Sequence, residues 1–284
     1  MESAPAGNTK NIAKPDANAS EALVKIALDS RLEWGRPKSI GAAVSTALLD
    51  KREARIRGMF GAIAPWYDTL NHLLSLNIDR SWRRRTTEIV PPAGNDPILD
   101  LCTGTGDLAL AYDRAGGRRI SIVGADFCHE LLQRAAKKVE NRSATGRIRF
   151  VEADAQQLPF ADGLFQIVCV AFGLRNITDM DRGLSEMARV ARPGGAVAVL
   201  EFSKPRHWLI RGPYLLFFRR ILPLIGQLLS RSPDSAYRYL PESVMQFPDY
   251  EALAAKMAKH GLIDVRFYPF TFGIATLYVG RKPG

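Results

Sequence analysis

Residues 100–109 read Asp-Leu-Cys-Thr-Gly-Thr-Gly-Asp-Leu-Ala. Glycines at alternate positions let a chain turn tightly and bring bare backbone N–H groups close to a ligand. Gly104, Gly106 and Ala109 match the GxGxxA dinucleotide fingerprint, and Asp126 ends the next apolar run, where a carboxylate can accept from ribose hydroxyls. Charge separates the ligands that such a loop can hold. A pyrophosphate needs the uncancelled positive end of the helix, whereas Asp100 and Asp107 put carboxylates on both flanks of this loop. S-adenosylmethionine carries a sulfonium and an ammonium group and no phosphate, so acids beside the loop suit it. The plain alternative is an ordinary turn in which Asp107 caps a helix. Asp154 and Ala155 end a third apolar run. An Asp there can accept from the exocyclic amine of adenine, although a solvated turn is equally compatible.

The other reactive side chains are dispersed. His72, His129, His207 and His260 show no metal-ligand or triad spacing, so no metal site is expected, and His72 is a reserve base only through its closeness to Tyr67. Glu201 closes the fifth apolar run. Cys102, Cys128 and Cys169 form no CxxC pair and no disulfide framework, which points to a reduced, cytoplasmic setting.

These residues need a scaffold. The chain of 284 residues is 46% hydrophobic and 24% charged, which excludes disordered and fibrous classes. Apolar runs at 97–103, 120–125, 147–152, 164–171 and 196–202 alternate with helical patterns near 107–115, 129–140 and 180–191, so an α/β fold with a parallel sheet covered on both faces is expected. A helix at 249–260 and strands at 262–268 and 273–280 close the chain. Ahead of the sheet, helical spacing covers Leu23–Trp34, 42–57 and 66–89, and residues 1 to about 20 read as a disordered tail without a signal peptide. Arg192-Pro-Gly194-Gly195 reads as a tight turn into the fifth strand. The longest uncharged run, 267–280, contains Pro269 and falls short of the roughly 20 apolar residues that a membrane span needs.

The glycine loop, Phe172-Gly-Leu-Arg175-Asn176, Arg192-Pro-Gly-Gly195, Glu201-Phe-Ser-Lys-Pro205 and Tyr237-Arg-Tyr-Leu-Pro-Glu-Ser243 together resemble the ubiquinone/menaquinone biosynthesis C-methyltransferase family, from about Met59 to Lys282. The resemblance implies a class I methyltransferase, Rossmann-like, with a seven-stranded, mostly parallel sheet. It implies an N-terminal extension over 1–58 and a catalytic domain over 59–284, with a helical cap at 59–92 and a basic, apolar insertion at 202–247. S-adenosylmethionine is the implied cofactor, its motif positions falling on Thr105, Asp126, Asp154 and Ala155, and the expected site also takes in Asp100, Gly104, Gly106 and Ala171. The family often has Asn where Asp154 stands and commonly Ser where Ala171 stands, so no side-chain bond comes from Ala171.

The implied reaction is C-methylation of a polyprenylated quinol. A ring carbon is a poor nucleophile until a ring hydroxyl loses its proton, so the catalytic positions that the resemblance implies are Arg175, Asn176 and Tyr67: a fixed cation to favour the phenolate, and two side chains to hold quinol oxygens. Demethylmenaquinol is the leading substrate. A benzoquinol precursor of ubiquinone, or another lipid or phenol, is the alternative.

Net charge is +10. Residues 202–233 hold six bases and no acid and residues 80–85 hold four bases, so these two stretches carry the whole excess. No helix-turn-helix or RNA-recognition string accompanies them, so nucleic acid is not expected. Bases interleaved with Tyr214, Leu215, Leu216, Phe217 and Phe218 instead suit an anionic membrane surface, with the enzyme peripheral on the inner face of the cytoplasmic membrane; a homodimer interface is the competing use.

Overall fold

The computed structural model describes residues 53–144, 146–216 and 236–284. Its centre is a seven-stranded sheet of β1 (Ile98–Leu101), β2 (Ile122–Asp126), β3 (Ile148–Glu152), β4 (Phe165–Ala171), β5 (Ala191–Phe202), β6 (Ile263–Phe270) and β7 (Ala275–Arg281). The spatial order is β3-β2-β1-β4-β5-β7-β6, parallel except for β7, which runs antiparallel to both β5 and β6.

Successive side chains on a strand point to opposite faces, and both faces are used. On one face Leu99, Leu101, Val123, Val168, Val170 and Val197 pack with Leu184 and Met187 of α6 (Met180–Val190) and Leu253 and Met257 of α9 (Glu251–Lys259). On the other, Ile98, Ile122, Ile167, Ala198 and Leu277 meet Leu108 and Tyr112 of α4 (Asp107–Ala115) and Val139 of α5 (His129–Asn141). This double burial is why the strands read as unbroken apolar runs.

Among the described residues three α-helices precede the sheet: α1 (Glu53–Ile63), α2 (Tyr67–Leu74) and α3 (Ile78–Ile89). The single helix expected over 66–89 is broken at Leu76 and Asn77, whose φ values of 51° and 60° are left-handed. α1 runs through residue 58, at which extension and domain were expected to part. The 192–195 segment is the start of β5 itself, with a register shift against β4 between Phe165 and Ile167. In the insertion, residues 208–216 form α7 (Trp208–Leu216), and α8 (Ala236–Gln246) follows. The tail at 1–20, the helix expected from Leu23 and most of 42–57 lie outside the described residues, as do Phe217, Phe218, Arg219, Arg220 and Arg231.

The order of strands decides where a site can form. β1 pairs with β2 on one side and β4 on the other, so the connections leaving β1 and β4 run to opposite faces and open a crevice at the carboxyl ends of those two strands.

Candidate active site

The crevice is an open cleft enclosing about 660 Å³ of empty space, open solvent included. Asp126, Asp154, Ala155, Ala171, Tyr67 and Asn176 line it, so six of the residues nominated from the sequence come together there. Asp100, Gly104, Thr105, Gly106 and Arg175 are not among its lining residues.

Asp126 is placed by the backbone. Its Oδ2 accepts from Gly104 N at 2.8 Å and its Oδ1 from Cys128 N at 2.9 Å, and burial pushes its carboxyl up to about 6. Gly104 has φ +57°, and a Cβ there would stand 3.6 Å from the Tyr67 ring, so the cap helix lies directly on the loop. The connections after β1 and β4 also touch. A Cβ on Gly173 would come within 2.3 Å of Cys102 Cβ, which leaves room only for glycine. Asp154 is turned by its own Gln156, whose N and Nε2 donate to Oδ1 at 2.9 and 3.0 Å.

The remaining loop residues support it from behind. Asp100 accepts from Thr103 Oγ1 at 2.6 Å and from Ala109 N at 3.0 Å, stapling the turn to α4. The Thr105 hydroxyl donates to Asp68 of the cap and accepts from Lys138 Nζ at 2.9 Å. Lys138 also pairs with Asp68 at 2.6 Å and Asp107 at 2.9 Å. Burial raises the Asp107 carboxyl, but Arg83 and Lys138 outweigh it and hold the group below its usual range. The charge reading of the loop is therefore corrected: Asp107 is neutralised by Lys138, and the acids that face the cleft are Asp126 and Asp154. Among the described residues no Lys or Arg lines the cleft.

Arg175 lies in a short 3₁₀ turn, Leu174–Asn176, directly after β4. Its Nη1 donates to Glu201 Oε2 at 3.0 Å and to the Phe172 carbonyl, and its backbone N donates to Glu201 Oε1 at 3.2 Å. Both side chains are buried, so its charge is balanced by Glu201. Near this turn three buried polar atoms have no hydrogen-bond partner among the described residues: Arg175 Nε, Asn176 Oδ1 and, on α8, the Tyr239 hydroxyl. Burial pushes the Tyr67 hydroxyl up, with Asn71 pulling the other way. His72 Nδ1 lies 3.0 Å from Asp79 Oδ2 and its Nε2 lies 4.0 Å from Asp107, so it joins the cap's ionic network and does not line the cleft. His129 pairs with Glu152 and His260 with Asp181.

Sequence reasoning missed Ile56 and Phe60 of α1, which line the cleft, and Lys138. The spacing of Ile56 and Phe60 on one helix face was the available signal for the first two; nothing local marks Lys138.

Burial raises Asp100 from 3.8 to about 7, so the folded state prefers the neutral acid. Its contribution to stability is complete below about pH 4 and is lost as the pH rises through 7. Asp100→Asn keeps an acceptor for Thr103 and Ala109 and cannot ionise. Its stability relative to the wild type is expected to rise between pH 4 and 7, by about 4 kcal/mol at most. Urea denaturation at a series of pH values measures this; a pH-independent difference refutes it.

The ubiE/COQ5 methyltransferase family matches residues 48–282. A ubiquinone/menaquinone biosynthesis C-methyltransferase of Geotalea daltonii is 44% identical over 234 residues, covering 82% of this chain and 99% of the relative. A demethylmenaquinone methyltransferase of Thermus thermophilus is 48% identical over 226 residues, 79% of this chain and 100% of that one. A crystal structure of a SAM-dependent methyltransferase from Aquifex aeolicus superposes with a TM-score of 0.52 at 16% identity, covering 70% of this chain and 88% of that one, a likeness of fold.

Proposed function

The chain belongs to the ubiE/COQ5 methyltransferase family, and on that premise we propose that it is an S-adenosylmethionine-dependent C-methyltransferase of respiratory quinone biosynthesis, acting on a prenylated quinol ring. The observation that carries the reading is the cleft at the strand switch point, lined among the described residues by two carboxylates and no base. That lining suits a sulfonium-bearing nucleoside and disfavours a diphosphate. Asp126 would hold the ribose hydroxyls, Asp154 and Ala155 the adenine, and the Cys102–Gly104 backbone the amino-acid end. When bound, the cofactor supplies an electrophilic methyl group.

The chain's own task is to make a ring carbon nucleophilic. Asn176 Oδ1 is an unused acceptor at the cleft and takes a hydrogen bond from a ring hydroxyl. Tyr67, largely surrounded by protein, donates to a ring oxygen. Arg175, held by Glu201 and the Phe172 carbonyl, presents Nε–H as a fixed donor that favours the phenolate without acting as a base.

Demethylmenaquinol is the substrate favoured by the Thermus relative's own activity. Purified protein with S-adenosylmethionine and a short-chain demethylnaphthoquinol is expected to give the product one methyl heavier by mass spectrometry. Turnover of the benzoquinol alone would move the substrate to the ubiquinone branch, and no product from either would sink the reading.

Membrane contact is the further part of this proposal. α7 exposes Trp208, Leu209 and Leu216, each more than half accessible, next to exposed Arg211. The basic patch is weaker than its composition implies, because Lys204 pairs with Asp249 and Arg206 with Glu251. In the second stretch Arg83 pairs with Asp79 and Arg84 with Glu88. Apolar insertion, more than charge, then carries the contact. Wild-type protein is expected to float with phosphatidylglycerol vesicles and Trp208→Ala/Leu209→Ala to remain largely at the bottom of the gradient. Equal flotation, or a dimer that loses no lipid binding on this change, excludes α7 as the contact. Among the described residues no helix is long and apolar enough to cross a membrane.

A further inference from the structure

Tyr239 belongs to the string Tyr237–Ser243, and the cleft lining does not include it. α8, which carries it, packs against α1 and against the 174–176 turn, the elements that supply Ile56, Phe60 and Asn176 to the cleft. The residue is 6% exposed, and its hydroxyl has no hydrogen-bond partner among the described residues. A buried hydroxyl without a partner costs free energy that phenylalanine would not, so packing alone does not account for a tyrosine here. Arg175 Nε and Asn176 Oδ1 share the same condition on the turn that α8 touches.

The three atoms differ in what they can do. Nε–H only donates, Oδ1 only accepts, and a phenol does both. A set of donors alone would suit a carboxylate or phosphate; this mixed set complements a ligand that carries a hydroxyl and a second oxygen, as a quinol does. Tyr239 lies in the fields of Arg175 and Glu201, and burial pushes its hydroxyl up to about 12, so it keeps its proton at neutral pH.

Building on the quinol-methylation reading above, we propose that Tyr239 is a substrate-binding residue whose hydroxyl donates to a ring oxygen of the quinol, completing with Arg175 Nε and Asn176 Oδ1 the polar seat of the ring. The hydroxyl is then an orphan only while the ring is absent.

The test is Tyr239→Phe in the full chain, with three readouts: melting temperature without ligand, S-adenosylhomocysteine affinity by calorimetry, and kcat/KM on a short-chain demethylnaphthoquinol. The expected result is a melting temperature equal to or above that of the wild type, cofactor-product affinity within twofold, and kcat/KM lower by at least fivefold, mainly through KM. A loss under fivefold overturns the assignment. So does a lower melting temperature, which would make the hydroxyl a structural partner, or a cofactor-product affinity weakened more than twofold. The two levels separate cleanly: a wild type that methylates no quinol sinks the quinol reading, whereas an active wild type with an indistinguishable Tyr239→Phe sinks only the tyrosine.

Discussion

Arg175→Ala is expected to lower turnover at least about tenfold and to cost about 3–5 kcal/mol of stability. The two losses share one cause. Glu201 is fully buried and its carboxylate faces Arg175 Nη1 at 3.0 Å, so removing the guanidinium leaves an anion in the core with only backbone N–H groups to satisfy it. For a chain of this length each kcal/mol corresponds to roughly 2–4 °C, so the melting temperature should fall by about ten degrees. Arg175→Ala/Glu201→Gln, which removes the stranded charge, should recover a large part of that stability and none of the turnover. Arg175→Lys keeps a cation near Glu201 but loses the planar fork and the Nε–H edge, so it should be stable and slow. S-adenosylhomocysteine affinity should stay within a few fold in all of them, since Arg175 does not line the cleft. Wild-type turnover in Arg175→Lys would remove the Nε edge from the mechanism.

The second large effect is on cofactor binding. Asp126→Ala is expected to weaken S-adenosylhomocysteine by about a hundredfold, measured by calorimetry. A carboxylate accepting from ribose hydroxyls supplies charge-assisted bonds worth about 1.5–3 kcal/mol each, and 1.4 kcal/mol is tenfold. Part of the loss is preorganisation, because Gly104 N and Cys128 N lose the acceptor that shapes the loop. Asp126→Asn keeps one acceptor oxygen and should fall between the two. Affinity within threefold of wild type in Asp126→Ala would exclude the carboxylate as the ribose ligand.

Much of the sheet was legible because its signals are local. Each of the five apolar runs became a strand, four of them near the expected limits, while β5 begins five residues early at Ala191. The break at Leu76 and Asn77 was not legible, since neither residue is a glycine or proline, yet both take left-handed backbone between α2 and α3. Asp126 and Asp154 were legible from their places at the ends of apolar runs, Tyr67 and Asn176 through the family resemblance, and these four do share one cleft.

Sequence by itself determined the alternation of strands and helices, the glycine turn after β1 and the carboxylate at the end of β2, because hydrophobic period and turn chemistry act between near neighbours. Only the tertiary structure decided which charges remain to act. Lys138 reaches Asp107 across 31 residues and Glu201 reaches Arg175 across 26, so the loop's outer acid and the turn's cation are both compensated through space. Coulomb attraction depends on distance and burial and not on order along the chain. The cleft therefore keeps Asp126 and Asp154 as its acids and Asn176 on its lining, while Arg175 is held outside that lining against Glu201.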